Sequence, residues 1–244
     1  MQAFHLKSAT LHPDRYPDKE HYPFNLPVFQ DDQTILFTSP VTLFVGENGT
    51  GKSTLLEAIS HACGIHIWRD SDKKRFRYNR YEDLLHTSLS VACSADRVPG
   101  IFFGSDIFRH FAQLLDEWAA NDPGQLEYFG GRSLMDQSHG QSIMSFFRSC
   151  FNRTGLYLLD EPETALSPRT QMELLQTLDT ASRTGRAQFI IATHSPILMA
   201  CPGAVIYGFD GNRIHQVVYE ETSHYKLYKG FLDNKETYLR RNSE

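Results

Sequence analysis

Cysteine, surplus positive charge and long apolar runs are all scarce in this chain of 244 residues. The four cysteines are widely separated and form no Cys-x-x-Cys pair, which argues against a zinc or redox centre and predicts reduced thiols in a cytoplasmic protein. The formal net charge is −5, so the chain as a whole is not expected to coat nucleic acid. No apolar run approaches the roughly 20 residues of a membrane span, and the first residues do not resemble a signal peptide. We therefore expect no membrane insertion.

A glycine-rich motif, GENGTGKS, occupies residues 46–53 and fits the P-loop pattern G-x-x-x-x-G-K-[ST]. The apolar run 41–45 before it predicts a buried strand, and residues 53–59 after it predict the start of a helix. The glycines allow a tight turn that points backbone N–H groups at phosphate oxygens. Lys52 places a cation at the β- and γ-phosphates, and Ser53 places a hydroxyl on Mg²⁺. The predicted nucleotide contacts are Gly46, Glu47, Asn48, Gly49, Thr50, Gly51, Lys52, Ser53 and Thr54.

A second part of the site is predicted where the apolar run 156–159 ends in two acidic residues. A buried strand there would carry Asp160 to the edge of a parallel sheet, where it would hold the metal ion directly or through water. Glu161 is placed to polarise an attacking water molecule. The next apolar run, 188–193, ends in His194, which we expect to hydrogen-bond the γ-phosphate or to orient the water.

The stretch SHGQS at residues 138–142 follows a glycine-rich loop and precedes a predicted helix. Together with GENGTGKS, LYLLDEPE, TALS and ATHSP, it makes a set of motifs whose order and approximate spacing resemble the ABC-type ATPases. SHGQS resembles the signature motif of that family, usually written LSGGQ: Ser138 and Gly140 match its serine and second glycine, and His139 replaces the first glycine. HYPFNLP and YEETSHY are similar to a group of small, soluble bacterial ATPases related to SMC and RecF-type heads.

This resemblance implies an ATPase in which two protomers enclose two ATP molecules, with ATP and Mg²⁺ as cofactors. Ser138, Gly140 and Gln141 would then act in trans on the nucleotide in the partner's P-loop, through N–H groups at a helix start. Asp160 would bind the metal ion, Glu161 would be the catalytic glutamate and His194 the switch histidine. The implied partner is a second copy of the chain, and a separate protein subunit is an open alternative.

The chain departs from that family at three places. The family's glutamine after the strand downstream of the P-loop is missing from residues 101–106, where Asp106 would either contact the metal ion or its water, or cap a helix. Ser167 stands at the position of the D-loop aspartate and is expected to cap the next helix. The aromatic side chain that stacks on adenine is not identifiable, with Tyr16 and Tyr22 as the two candidates.

The predicted fold class is α/β, a P-loop NTPase of ABC-ATPase type with a mostly parallel central sheet, an N-terminal antiparallel β part and a small helical lobe. We expect a single domain over residues 1–244. Its core would cover about 30–100 and 152–220, and the lobe that carries the signature would cover about 104–151.

Short strands predicted at 4–11, 24–29 and 34–37 would pair antiparallel and flank the P-loop strand. Residues 65–100 are predicted to be irregular. The exception is the charged segment from Lys73 to Tyr81, for which an edge strand is one of two interpretations. Helices are predicted at 106–119 and after Ser142.

The segment from Lys73 to Tyr81 interleaves five cations with three aromatic side chains. One interpretation is a contact with nucleic acid, in which cations meet phosphates and aromatic rings stack on bases. The other is an edge strand with one charged face, which also prevents aggregation.

Three functions follow from the sequence. The first is an ATPase that dimerises on ATP and serves as the motor or switch subunit of a larger system, in DNA maintenance or phage defence. The second is the nucleotide-binding subunit of a membrane transporter, against which the missing glutamine counts. The third is an ATP-binding module that does not hydrolyse ATP, against which the presence of Lys52, Asp160, Glu161 and His194 counts.

Overall fold

The computed structural model describes residues 4–68, 79–95, 97–122, 124–127 and 131–240. Its strands are β1 (Leu6–Leu11), β2 (Gln33–Leu36), β3 (Val41–Val45), β4 (Leu89–Cys93), β5 (Gly100–Gly104), β6 (Gly155–Asp160), β7 (Ala187–Ala192), β8 (Val205–Gly208) and β9 (His215–Val217). Its α-helices are α1 (Lys52–Ala62), α2 (Phe108–Asn121), α3 (Gly124–Glu127), α4 (His139–Cys150), α5 (Pro168–Arg183), α6 (Pro196–Met199), α7 (Ser223–Asp233) and α8 (Lys235–Arg240).

The strands form two sheets. The larger sheet has the order β5-β6-β7-β3-β8-β9, in which β9 alone among these strands runs antiparallel to its neighbour. The smaller sheet is antiparallel, with the order β2-β1-β4. The predicted fold class, with its mostly parallel central sheet and N-terminal antiparallel part, is confirmed.

Side chains of the central sheet alternate between two hydrophobic clusters, one on each face. In β6, Tyr157 and Leu159 join α2, α4 and α5 on one face, while Leu156 and Leu158 join α1 and β1 on the other. Burying each such side chain contributes about 1.5–3 kcal/mol, so a fully apolar strand is stable only inside a two-sided sheet. This requirement explains why the sequence signal for β6 is a continuous apolar run.

The prediction that antiparallel strands flank the P-loop strand is wrong. All of β3 is buried, and it lies between β7 and β8, both parallel to it. The predicted strand at 24–29 is also wrong: Pro27–Phe29 form a 3₁₀ turn, since prolines at 23 and 27 lack the N–H that a sheet ladder needs. Conversely, β4 lies in the region predicted to be irregular, because pairing with β1 stabilises it.

The two sheets are joined by side chains rather than by a shared strand. The buried Gln188 of β7 accepts a hydrogen bond from Leu6 N–H at 2.9 Å and donates one to the Leu6 carbonyl at 2.8 Å. Cys63 and Cys93, 30 positions apart in the chain, meet near this junction with their Sγ atoms 3.9 Å apart. Both thiols are free, and burial raises the pKa of Cys63.

Helices α2 and α4 occupy the region predicted as a helical lobe, and the division into core and lobe remains a prediction. Helix α2 begins at Phe108 rather than at Asp106. Helix α4 begins at His139 rather than after Ser142, because Ser138 occupies the capping position. The cationic residues 73–77 lie outside the described residues, as does Tyr78. None of the described helices combines the length and hydrophobicity needed to cross a bilayer.

Candidate nucleotide-binding site

The predicted site residues meet at the carboxyl edge of the central sheet. The P-loop follows β3, Glu161 follows β6, and His194 follows β7, which lies between those two strands. In this register Ala192 pairs with both Phe44 and Asp160, so the three strands end at the same level. Loops that leave adjacent parallel strands at one edge form the crevice in which α/β proteins bind ligands.

The P-loop turns into α1 at Gly51, whose φ of +101° is a left-handed conformation that favours glycine. A Cβ there would lie 2.9 Å from the ring of Phe29 and 3.0 Å from Leu26, so the N-terminal segment packs directly on the loop. Glu47, Asn48 and Gly49 are exposed at the tip of the loop. The tip of the loop is thus open to solvent, while its base at Gly51 packs against Leu26 and Phe29 of the N-terminal segment.

Lys52 is buried beneath the P-loop. Its Nζ donates to the carbonyl of Gly46 at 2.7 Å and to that of Glu47 at 2.8 Å. Burial lowers the pKa of Lys52, and the nearby Glu161 and Asp160 carboxylates oppose that shift. A cation held this way at the N-terminus of α1 attracts anions together with the helix dipole.

Ser53 and Asp160 were predicted as metal ligands, and their oxygens are adjacent. Ser53 Oγ donates a hydrogen bond to Asp160 Oδ1 at 2.8 Å. Burial raises the pKa of Asp160 to about 7, the Ser53 hydrogen bond opposes the shift, and Glu161 reinforces it. Neighbouring ligands of octahedral Mg²⁺ lie about 3 Å apart, given metal–oxygen distances of about 2.1 Å. A hydroxyl beside a buried carboxylate at this spacing therefore fits Mg²⁺.

Glu161 has a backbone φ of +45°, which is unusual for a residue other than glycine. Such a conformation is strained by roughly 1–3 kcal/mol and persists where the surroundings enforce it. Here the Glu161 N–H is tied to the Ala192 carbonyl at 2.9 Å, which joins the turn after β6 to the end of β7. The side chain then lies with Oε1 3.5 Å from His194 Nε2.

Glu163 organises the loop that carries His194, and the sequence interpretation missed it. Its Oε1 accepts hydrogen bonds from Thr193 Oγ1 at 2.8 Å, His194 N–H at 2.7 Å and Ser195 N–H at 3.1 Å. Burial raises the pKa of Glu163, and these hydrogen bonds oppose the shift. The available signal was a further glutamate directly after Pro162, which the pattern of an apolar strand ending in Asp160 and Glu161 does not require.

The side chain of His194 contacts a second histidine that was also missed. His194 Nδ1 and His224 Nε2, at the start of α7, are 3.0 Å apart. Burial lowers the pKa of both imidazoles, which favours their neutral forms. The same turn reaches the P-loop through Asp210, whose Oδ2 accepts from Ser223 Oγ at 3.0 Å and whose Oδ1 accepts from Glu47 N–H at 3.1 Å.

The signature residues lie at the start of α4. Ser138 is exposed and its N–H donates to the side-chain Oε1 of Gln141 at 3.2 Å. A Cβ on Gly140 would lie 3.2 Å from the Ala165 carbonyl, so the helix start packs on the D-loop segment. Ser167 caps α5 as predicted, accepting from Thr170 N–H. Ser138, Gly140 and Gln141 line a polar cleft of about 910 Å³ whose described lining includes no P-loop residue.

The other candidate residues differ in their surroundings. Tyr22 is 40% exposed and its hydroxyl is 2.6 Å from Thr54 Oγ1, beside the P-loop. Tyr16 packs on Phe24 with ring centroids 4.6 Å apart and donates to the Phe29 carbonyl, which makes it part of the N-terminal packing. Asp106 is exposed just beyond β5 and close enough to raise the pKa of Asp160. Tyr22 is therefore the better placed of the two tyrosines.

Two family descriptions match separate parts of the chain. Residues 24–94 match a family described as "AAA domain", and residues 133–200 match one described as "AAA domain, putative AbiEii toxin, Type IV TA system". The first range holds the P-loop, and the second holds the signature stretch, Asp160, Glu161 and His194.

Curated relatives include ATP-binding proteins of importers. The ribose import ATP-binding protein RbsA of Bacillus cereus is 24% identical over 238 residues, which cover 89% of this chain and 48% of RbsA. The iron(3+)-hydroxamate import ATP-binding protein FhuC of Bacillus subtilis is 27% identical over 169 residues, covering 63% of this chain and 62% of FhuC. The chain thus spans about half the length of RbsA.

Solved structures of two kinds share the fold. An SMC head bound to the C-terminal winged-helix domain of ScpA aligns with a TM-score of 0.57 at 12% identity, covering 89% of this chain and 99% of that one. CbiO1 of Clostridium perfringens, part of the ABC transporter complex CbiONQ, aligns with a TM-score of 0.52 at 18% identity, covering 96% and 98%. The chain therefore has the α/β P-loop fold that ABC transporter ATPases and SMC heads share. The predicted relationship to ABC-type ATPases and SMC-type heads is confirmed.

Proposed function

We propose that the chain binds ATP with Mg²⁺ and hydrolyses it, as a dimer that encloses the nucleotide. The proposal is carried by the convergence of Lys52, Ser53, Asp160, Glu161 and His194 at one edge of the central sheet. The importer ATP-binding proteins and SMC heads that resemble the chain support the same class of activity.

Each of these side chains has a distinct role in the proposed reaction. Lys52 moves from the carbonyls of the loop to the β- and γ-phosphates, where its charge is balanced. A Mg²⁺ ion held by Ser53 and Asp160 would neutralise the charge on the phosphate oxygens. Glu161 orients the attacking water and accepts its proton, because the turn after β6 would hold its carboxylate beside the γ-phosphate. His194 holds the γ-phosphate beside Glu161 through its Nε2 atom.

The dimer is proposed because the signature residues and the P-loop are separate surfaces of one chain. Ser138 and Gln141 are exposed in a cleft that the P-loop does not line. Two copies related by a twofold axis would place each helix start of α4, with its N–H groups, against the phosphates bound by the other copy. The isologous dimer that results is closed by twofold symmetry.

The larger system is proposed by analogy alone. The fold shared with an SMC head favours DNA maintenance, and the family description that mentions AbiEii toxin and a Type IV TA system favours a defence system. In either setting ATP binding would join two heads and hydrolysis would release them, which is the work of a switch or motor subunit.

Light scattering on purified Glu161→Gln protein, with and without ATP and Mg²⁺, tests the proposal. The glutamine keeps the shape of the site but cannot accept the proton of water, so ATP should persist and trap the dimer. We expect the mass to double only when ATP and Mg²⁺ are both present. Ser138→Arg in the same background is the matched control, since it should bind ATP and stay monomeric. A doubling that survives Ser138→Arg would reject the trans role of Ser138.

A second candidate is the nucleotide-binding subunit of a transporter, favoured by the importer proteins among the relatives. Such a subunit would need a separate membrane protein as partner. Tagged protein purified from detergent-solubilised membranes should then carry one membrane subunit in fixed proportion. Recovery of the chain without any such subunit, together with ATP hydrolysis by the isolated protein, would favour the first candidate.

A further inference from the structure

His224 lies behind His194, on the side away from Glu161. It is 8% exposed, and its Nε2 is 3.0 Å from His194 Nδ1. The turn that carries it is held at both ends. Thr222 Oγ1 accepts from Tyr225 N–H at 3.2 Å, and Ser223 Oγ is bonded to Asp210 at 3.0 Å. These hydrogen bonds hold the turn in place and so restrict the orientation of the His224 side chain.

The contact between the two imidazoles constrains where their protons lie. At 3.0 Å, one nitrogen of the pair must donate and the other must accept. A neutral imidazole carries one N–H, so the choice at His194 Nδ1 decides whether His194 Nε2 is a donor or an acceptor. The proton in the contact with His224 therefore determines whether His194 Nε2 can donate or accept a hydrogen bond, although His224 does not contact that atom.

The surroundings of His194 Nε2 favour one of the two choices. This atom is buried without a hydrogen-bond partner among the described residues, and it faces Glu161 Oε1 at 3.5 Å. Carboxylate and phosphate oxygens offer only lone pairs, so an unprotonated Nε2 would set two acceptors against each other. A protonated Nε2 would donate to either oxygen. That tautomer leaves Nδ1 unprotonated, so it requires a donor at His224 Nε2.

The far side of His224 is compatible with this arrangement. Its Nδ1 is 3.4 Å from Ser223 Oγ, whose one proton is directed to the Asp210 carboxylate at 3.0 Å. This 3.4 Å contact is weaker than the 3.0 Å contact between the two imidazoles, so it does not decide where the proton of His224 lies. Burial lowers the pKa of both rings and so favours the neutral form, in which each histidine carries one N–H.

We propose that His224 is a positioning residue for the reaction: it donates its Nε2–H to His194 Nδ1, and so fixes the tautomer in which His194 presents Nε2–H to Glu161 and the γ-phosphate. The inference rests on the proposed hydrolysis of ATP. It assigns to the start of α7 a part in the site that is separate from binding the nucleotide.

Three substitutions separate hydrogen bonding from packing. In His224→Gln the amide nitrogen can reach the position of Nε2 and donate, whereas in His224→Asn it falls short, near the position of Nδ1. His224→Leu fills space without any donor. Leu227→Ala, on the exposed side of the same helix, is the matched control.

We expect kcat for ATP hydrolysis to fall about tenfold to hundredfold in the Leu and Asn variants. His194 then loses the partner that holds its ring orientation and its tautomer, and with them the hydrogen bond from its Nε2–H to a charged oxygen. The kcat of His224→Gln should stay within about fivefold of wild type, and in the Leu and Asn variants the Kd for ATP should change by a smaller factor than kcat. Equal losses in the Gln and Leu variants, or full activity in both, would overturn the inference while leaving ATP hydrolysis by the wild type intact.

A second measurement does not depend on hydrolysis. In protein with ¹⁵N-labelled histidine, the nitrogen shifts of His194, assigned by their loss in His194→Gln, report which ring nitrogen carries the proton. With Mg²⁺ and a non-hydrolysable ATP analogue, we expect the Nε2–H form in wild type and a mixture of both forms in His224→Leu. The Nδ1–H form in the wild-type complex would overturn the inference. Absent ATP turnover with this spectrum intact would instead reject the proposed hydrolysis alone.

Discussion

The hydrogen bonds of Glu163 make a quantitative prediction about the loop that carries His194. In Glu163→Ala, the Thr193 hydroxyl and the His194 N–H lose their acceptor, while Ser195 N–H keeps Thr193 Oγ1 at 3.0 Å. A buried donor left unpaired costs about 1–3 kcal/mol, so two donors predict a loss of about 2–6 kcal/mol in the free energy of unfolding.

Glu163→Gln is the matched variant, because its amide oxygen can accept all three hydrogen bonds. The amide NH₂ would replace Oε2, which has no hydrogen-bond partner among the described residues. We expect the stability of this variant to lie within about 1 kcal/mol of wild type at pH 7, because the unpaired NH₂ takes the place of a carboxylate oxygen that is itself buried and unpaired in the described part of the chain. Urea denaturation followed by circular dichroism measures both variants.

The raised pKa of Glu163 adds a pH dependence of known sign. A carboxyl whose pKa is higher in the folded than in the unfolded protein binds more protons when folded, so it loses stability as the pH rises. The stability of the wild type relative to Glu163→Gln should therefore fall as the pH rises. The fall should begin near 4.5, the ordinary pKa of a glutamate, and continue through the higher pKa of Glu163 in the folded protein. An alanine variant within 1 kcal/mol of wild type, or a glutamine variant as unstable as alanine, would refute the reasoning.

The remaining predictions concern the P-loop and the junction of the two sheets. Lys52→Ala should weaken ATP binding by about tenfold or more in titration calorimetry, because a charged hydrogen bond to phosphate is lost, while the exposed Lys229→Ala should not. Gly51→Ala should lower the unfolding free energy by about 2–4 kcal/mol, because φ is positive there and the added Cβ would clash with Phe29. Gly49→Ala should lower it by only about 1–2 kcal/mol, because φ is also positive but the added Cβ meets no atom within 4 Å. Gln188→Leu should cost about 2–6 kcal/mol by leaving the N–H and carbonyl of Leu6 unpaired, with the exposed Gln176→Leu as control; equal melting temperatures in that pair would contradict the role of Gln188.

The sequence by itself determined the parts of this protein whose geometry is local. The P-loop is such a part, because glycines, a lysine and a serine at fixed spacing specify a turn whose own backbone forms the site. The strand before Asp160 is another, since a continuous apolar run is stable only within a two-sided sheet. The start of α5 at Pro168 is a third, because Ser167 and Pro168 satisfy the helix end without help from elsewhere.

Tertiary structure alone decided which distant segments meet. The prolines at 23 and 27 disfavour a strand near residue 24, and the prediction of a strand there was wrong, but nothing in the sequence indicated that this segment would pack on Gly51. The contacts of Glu163 with the His194 loop, of His194 with His224 and of Gln188 with Leu6 join residues 30 to 182 positions apart. Local patterns carry no record of such pairs, because each partner alone has an ordinary polar side chain. These residues acquire their role only in the folded protein, where the two members of each pair are buried together and hydrogen-bond to each other.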